Sequence, residues 1–308
     1  MNIDEIINNS VVCCEAFDND KFCFKSLLYP FTTENISGYI DEFNLKNKSL
    51  LTVGSSGDQV INAILRDCKN ITLYDKVPEA KYYYYLKCAG LLNFSKEQFL
   101  GFFRYRYYNH SINDNSNVFN KDLYERLKST LRLLSYESYL YFDELFNTFS
   151  GSTIRQALFV YDEDSTDILE RSNLYLKNEL LYDETRKKIK KVELEFVCKD
   201  IFDIDDAHKY DNIWLSNIGT WLKTEKEILD LINKTYACLN YDGKLLVSYL
   251  YKTNANTSYN SNFAPIYNLK VIKRLLKSYK LELREFDGID IKCWNKDERK
   301  DSALIIKK

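Results

Sequence analysis

Proline and glycine are scarce in this chain of 308 residues, with three prolines and nine glycines. That excludes collagen-like, linker-like and low-complexity readings. Histidine is scarcer still, at two, and none of the eight cysteines forms a Cys-x-x-Cys pair. A zinc site is therefore not expected, and no residue is assigned as a metal ligand. The thiols at Cys68, Cys88 and Cys198 sit in apolar-periodic segments, where a free thiol behaves as a small hydrophobe. No segment approaches the ~18 consecutive apolar residues of a membrane span. The opening MNIDEIINNS lacks the basic and apolar regions of a secretory signal. Both absences predict a cytoplasmic protein. Charge of one sign is missing too: the formal net charge is −2, so a dedicated nucleic-acid surface is not expected.

What is present is an ordinary globular composition, 45% hydrophobic and 29% charged. The length suits one large domain or two small ones. Two of the nine glycines, Gly54 and Gly57, fall within four positions. They follow the apolar run 49–53, which reads as a buried strand. Gln59–Cys68 has helical spacing, and Ile71–Tyr74 is a second short strand closing on Asp75. Strand, glycine turn, helix and strand make a βαβ unit with parallel strands. The alternation resumes at Val192–Cys198, with further strands at 211–218, 244–251, 281–286 and 303–306. Helices are expected at 224–239, opened by a Thr224…Glu227 capping box, and at 269–279. Asp242-Gly243 reads as a turn. The expected fold is α/β and Rossmann-like, a seven-stranded mostly parallel sheet with helices on both faces.

Between Asp75 and Val192 the pattern is helical. Pro78–Leu92 continues as a helix, Ser95…Gln98 and Thr153…Gln156 look like capping boxes, and 121–134 and 172–191 have helical periodicity. The expected organisation is an N-terminal extension (1–47), a Rossmann-like domain in two pieces (48–93 and 192–308), and a helical insertion (94–191). The insertion would lie between strands two and three as a cap on the acceptor side. Phe102–Tyr108 interleaves arginines with aromatics and reads first as part of that cap, with stacking on bases or gripping an anionic head group as the alternative; His110 nearby is a general-base candidate by residue type alone.

Four segments carry chemistry. In LTVGSSGD (51–58), glycines at a strand end let backbone pass close to a ligand, and the next helix presents free N–H groups. The pair fits G-x-x-G rather than the dinucleotide fingerprint or a P-loop. Asp75 stands where an acid can accept from both ribose hydroxyls. Asp200 can accept from an adenine amino group, with Ile201 on the ring. Ser216 and Asn217 leave a strand at the carboxyl edge, where open α/β sheets bind ligands.

That order of segments resembles the class I S-adenosylmethionine-dependent methyltransferases over roughly 30–92 and 192–308. LTVGSSGDQVINAI, TLYD, LSNI and YPFTTEN (29–35) look more closely like an uncharacterised bacterial family. That family is related to the betaine-lipid enzyme that transfers the 3-amino-3-carboxypropyl group of the same cofactor. The resemblance implies S-adenosyl-L-methionine as cofactor. Gly54, Ser55, Gly57 and Asp58 would attend its methionine moiety, Asp75 the ribose, and Asp200 with Ile201 the adenine. Ser216 and Asn217 would line the reactive side, and Tyr29, Thr32, Thr33 and Glu34 would close over it. No catalytic residue is assigned. The expected activity is methyl transfer to a small-molecule or lipid acceptor. Aminocarboxypropyl transfer and a non-catalytic nucleotide-binding domain stand as alternatives.

Overall fold

The computed structural model describes residues 2–19, 28–104, 117–159, 166–205, 207–216, 218–248, 250, 269–287 and 300–308. The chain opens with helix α1 (Ile3–Asp18) and an irregular segment, 28–48, containing two short 3-10 turns. Strand β1 (Ser49–Val53), α2 (Asp58–Leu65) and β2 (Asn70–Asp75) form the βαβ unit the glycine pair predicts. Helices α3 (Glu79–Asn93), α4 (Lys96–Phe103), α5 (Lys121–Leu134), α6 (Tyr136–Thr148), α7 (Gly151–Leu158), α8 (Thr166–Ser172) and α9 (Glu179–Lys188) follow. Then come β3 (Glu193–Cys198), β4 (Tyr210–Trp214), α10 (Glu225–Ala237), β5 (Leu239–Val247), α11 (Leu269–Leu275), β6 (Lys280–Asp287) and β7 (Lys300–Lys307).

Among the described residues the strands form one sheet in the order β3-β2-β1-β4-β5-β7-β6. Only β7 runs against the rest, since it pairs antiparallel with both β5 and β6. Chain order reverses between β1 and β4, which lie side by side and parallel. A crevice opens at such a reversal, because successive crossovers leave in opposite directions there. Side chains alternate between two cores. Leu50, Ala303 and Ile305 pack toward α1–α9, while Leu51, Val53, Leu304 and Ile306 pack toward α10 and α11. That period of two is what puts helices on both faces.

Local chemistry explains where the elements start and stop. The Ser95…Gln98 and Thr224…Glu227 capping boxes both form. The Thr153…Gln156 box does not: Ser150 caps α7 instead, accepting from the Thr153 amide. The helix expected over 172–191 is broken. Asn62 takes the amide of Leu174 and the side chain of Asn173, and Asn178 then caps α9 afresh. Asp242-Gly243 is no turn between elements. It lies inside β5, where Asp242 adopts φ +62° and the register against β4 shifts. Cys198, expected to be buried, is exposed, while Cys68 and Cys88 are buried. Of Phe102–Tyr108 the described part is Phe102–Arg104, with Phe102 and Phe103 buried in the helical layer and Arg104 half-buried. The rest of that motif from Tyr105, and His110, lie outside the described residues. Among the described residues no helix is long and apolar enough to cross a membrane.

Candidate functional site

Strand β1 ends at the crevice, and the turn after it is shaped by what a side chain would hit. A Cβ on Gly54 would lie 2.8 Å from Leu73 and 3.0 Å from the Asp75 carboxylate. Any other residue there would push Asp75 away. Ser55 follows at φ +34° and Gly57 at φ +76°, so the chain makes two left-handed steps before α2 begins. These place the Ser55 N–H 2.7 Å from Asp75 Oδ2. The other oxygen, Oδ1, accepts from the Val77 amide at 3.0 Å. An ionised carboxylate has about four lone-pair positions, so Asp75 keeps capacity for further donors. Burial pushes its carboxyl up, against the pull of the Ser55, Val77 and Lys76 amides.

Strand register brings Asp200 to the same edge. Asp75 lies opposite Cys198 on β3, and Asp200 comes two residues later. Asp200 accepts from the Phe202 amide at 3.1 Å and pairs with Lys76. Partial burial raises its carboxyl, but those donors outweigh it and hold the group below the usual carboxylate range. Ile201 departs from expectation. It is buried in the second core and offers little open face to a ring.

On the other side of Ser55 a small cleft is lined by Tyr29, Thr32, Thr33, Glu34, Ser55, Gln59 and Ser216. Six of these seven residues were singled out in the sequence. Ser216, just past β4, sits at φ +49°, an uncommon conformation for a residue with a side chain. It donates to Glu34 Oε2 at 2.8 Å and accepts from Gln59 Nε2 at 3.3 Å. Asn217 lies outside the described residues.

Asp58 is not on the cleft wall, and it corrects the expectation that it serves the cofactor. It is fully buried with both oxygens occupied. Oδ1 accepts from Lys87 Nζ at 2.5 Å and Tyr175 OH at 2.7 Å. Oδ2 accepts from the Thr32 amide at 2.6 Å and Ser56 Oγ at 3.0 Å. Lys87 also donates to the carbonyls of Pro30 and Ser56, each at 3.0 Å, and lies over the Phe31 ring. The node clamps segment 30–32 onto the glycine turn, so Asp58 builds the site from behind.

Sequence reasoning passed over Gln59, Lys87, Tyr39, Ser248 and Asp301. Lys87 had a signal: a lone lysine in YYYYLKCAGLL, a helix apolar on every side, must find a buried partner. Asp301 had a weaker one, an acid directly before the apolar run of β7.

No protein-family model matches the chain, and no curated protein sequence matches it. Several solved structures share a distant likeness. NodS, an N-methyltransferase from Bradyrhizobium japonicum with bound S-adenosylhomocysteine, aligns at 10% identity and a TM-score of 0.40, over 84% of this chain and 77% of its own. An S-adenosylmethionine-dependent methyltransferase from Clostridium acetobutylicum aligns at 8% identity and a TM-score of 0.40, over 97% and 98%. Phosphoethanolamine N-methyltransferase 1 of Haemonchus contortus aligns at 7% identity and a TM-score of 0.45, over all of this chain and 50% of its own.

Proposed function

We propose that the chain is an S-adenosylmethionine-dependent methyltransferase acting on a small-molecule or lipid acceptor. One observation carries this reading. The Gly54–Ser55 turn closes on the Asp75 carboxylate beside the strand reversal, leaving that carboxylate with accepting capacity to spare. Asp75 would hold the ribose hydroxyls, Asp200 would take the adenine amino group, and Ser55 with the cleft residues would receive the amino-acid arm. The residues fit such a ligand by donor set: carboxylates where it carries hydroxyl and amino groups, bare backbone where it passes closest. Bound S-adenosylmethionine supplies a methyl carbon already activated by its sulfonium. The protein's share is alignment and exclusion of water, which needs little acid–base machinery.

A second recess, lined by Asn35, Gly38, Arg171, Ser172 and Asp287 among others, would take the acceptor. Its α8 wall comes from the helical stretch 94–191, which supports reading that stretch as the acceptor-side cap.

Calorimetry with S-adenosylhomocysteine tests the reading. The wild type binds, and Asp75→Ala weakens binding by roughly 1–3 kcal/mol, the cost of losing a buried hydrogen-bond partner. Equal affinity in the two proteins rejects the ribose assignment. Product analysis with S-adenosylmethionine and candidate acceptors separates the chemistries. S-adenosylhomocysteine marks methyl transfer, and methylthioadenosine in its place marks aminocarboxypropyl transfer and removes the methyl reading.

A further inference from the structure

Helix α2 starts at the glycine turn, and Asn62 sits one turn into it among Val60, Ile61, Ala63 and Ile64. The Asn62 side chain is fully buried and makes three hydrogen bonds. Its Nδ2 donates back to the Asp58 carbonyl at 2.8 Å and across to Asn173 Oδ1 at 2.9 Å. Its Oδ1 accepts the Leu174 amide at 2.7 Å. Both hydrogens of the amide are used. Turning the group over would set its oxygen against two acceptors and its NH2 against an N–H, so the network fixes its orientation. An apolar side chain could fill the same space. What the amide adds is direction, because each of its bonds accepts only one placement of residues 173–174 against α2.

Residues 172–175 connect that bond to both pockets. On one side, Asn173 Nδ2 donates to Ser172 Oγ at 3.3 Å, and Ser172 Oγ donates to the Ile168 carbonyl at 2.7 Å. Ile168, Arg171 and Ser172 are the α8 wall of the recess. On the other side, Tyr175 OH donates to Asp58 Oδ1 at 2.7 Å, and Asp58 Oδ2 takes the Thr32 amide at 2.6 Å. Thr32, Ser55 and Gln59 line the cleft. Asn62, Ser172, Asn173, Tyr175 and Asp58 are each at most 1% exposed. A series of buried hydrogen bonds therefore runs from the recess wall to the cleft, with α2 in its middle. Opening the wall breaks the bonds to Asn62 and leaves the Leu174 amide and Asn62 Oδ1 unpaired in the core, a costly state. It also removes a donor from Asp58, which holds Thr32.

We propose that Asn62 is a positioning residue: it sets the α8 wall of the recess from the helix that follows the glycine turn, so that a ligand in the cleft holds the recess in one shape. The inference rests on the cofactor reading above and adds that the cofactor prepares the acceptor side. A ligand touching Thr32, Ser55 and Gln59 stiffens the first turn of α2. Whatever hangs on that turn then opens less often, and the residues that hang on it through Asn62 are those of the wall. The coupling is reciprocal, so a ligand that fixes the wall tightens the cleft by the same factor.

The test is amide hydrogen exchange on the full chain, with and without saturating S-adenosylhomocysteine, read on peptides covering 54–61 and 168–176. In the wild type the ligand slows exchange in both, in the second by roughly tenfold. Asn62→Leu, close in volume, speeds exchange over 168–176 by roughly tenfold when no ligand is present. It keeps the ligand's slowing over 54–61, loses the slowing over 168–176, and binds S-adenosylhomocysteine within about threefold of the wild-type affinity by calorimetry. A side chain with only a structural role would change exchange by the same factor with and without ligand, so the lost difference is the readout. Asn173→Ala cuts the link from the other side and reduces the same slowing, a second route should the first variant fold poorly. The proposal is overturned if the ligand slows 54–61 but not 168–176 in the wild type, or if the folded variant keeps the wild-type slowing over 168–176. A wild type that does not bind S-adenosylhomocysteine removes the cofactor reading, and this inference with it.

Discussion

Asp58 and Glu34 are both buried acids, and one residue, Thr32, touches both. The Thr32 amide donates to Asp58 at 2.6 Å, and its hydroxyl accepts the Glu34 amide at 3.1 Å. Their surroundings differ in kind. Asp58 has an ammonium, a phenol, a hydroxyl and an amide on its two oxygens. Glu34 has Ser216 and Gln59 on one oxygen, the hydroxyls of Tyr39 and Ser248 facing its carboxyl, the charge of Asp301 nearby and, among the described residues, no ion pair. Burial alone therefore does not distinguish a structural carboxylate from a binding one. The distinction lies in whether the protein itself supplies the counter-charge. Where it does, the acid holds the fold. Where it does not, a ligand can.

The largest effect expected from this contrast is on stability. Lys87→Met leaves a charged Asp58 in the core with no cation, a change that typically costs about 3–5 kcal/mol. Urea unfolding at neutral pH reads it directly. Glu34→Gln, at equal burial, shifts the same measurement by no more than about 1 kcal/mol, because no ion pair is broken. If the two variants lose similar stability, the comparison between the sites fails.

A smaller effect isolates single donors. Tyr175→Phe removes one hydrogen bond to the ionised Asp58 and costs roughly 1.5–3 kcal/mol, the range for bonds to charged groups. Ser216→Ala removes one donor from Glu34, whose carboxyl burial drives toward the neutral form. That loss is of the neutral kind, about 0.5–1.5 kcal/mol. Equal losses in the unfolding curves would mean that a donor to Glu34 is worth as much as a donor to the Lys87-paired Asp58.

How far each site was legible follows from the same contrast. The glycine turn and Asp75 could be read because they sit 21 residues apart or fewer on a βαβ unit whose periodicity is local. The sheet was legible because its strands are short apolar runs. Asp58 was misread because it abuts the turn, and nothing in LTVGSSGD shows that its carboxyl turns back toward Lys87. That Asp301 comes near enough to feel the Glu34 charge was invisible for a topological reason. It happens only because β7 inserts antiparallel between β5 and β6, which brings a residue near the C-terminus to the carboxyl edge beside the N-terminal segment. The break of the 172–191 helix was hidden similarly, since Asn62 of α2 makes it from another layer.

A last effect depends on pH and separates the two sites most cleanly. In the unfolded chain an aspartate titrates near ~3.9. In the fold Asp301 is pushed up to about 8, first by burial and then by Glu34. The folded protein therefore binds more protons than the unfolded chain across that window, and its stability falls as pH rises through it. Asp301→Asn cannot ionise. At mildly acidic pH the variant and the wild type are of similar stability, and toward pH 8 the variant becomes the more stable by something on the order of 1–3 kcal/mol. Unfolding curves at several pH values measure the divergence. A divergence of the opposite sign would place a cation beside Asp301 and make it a second Asp58.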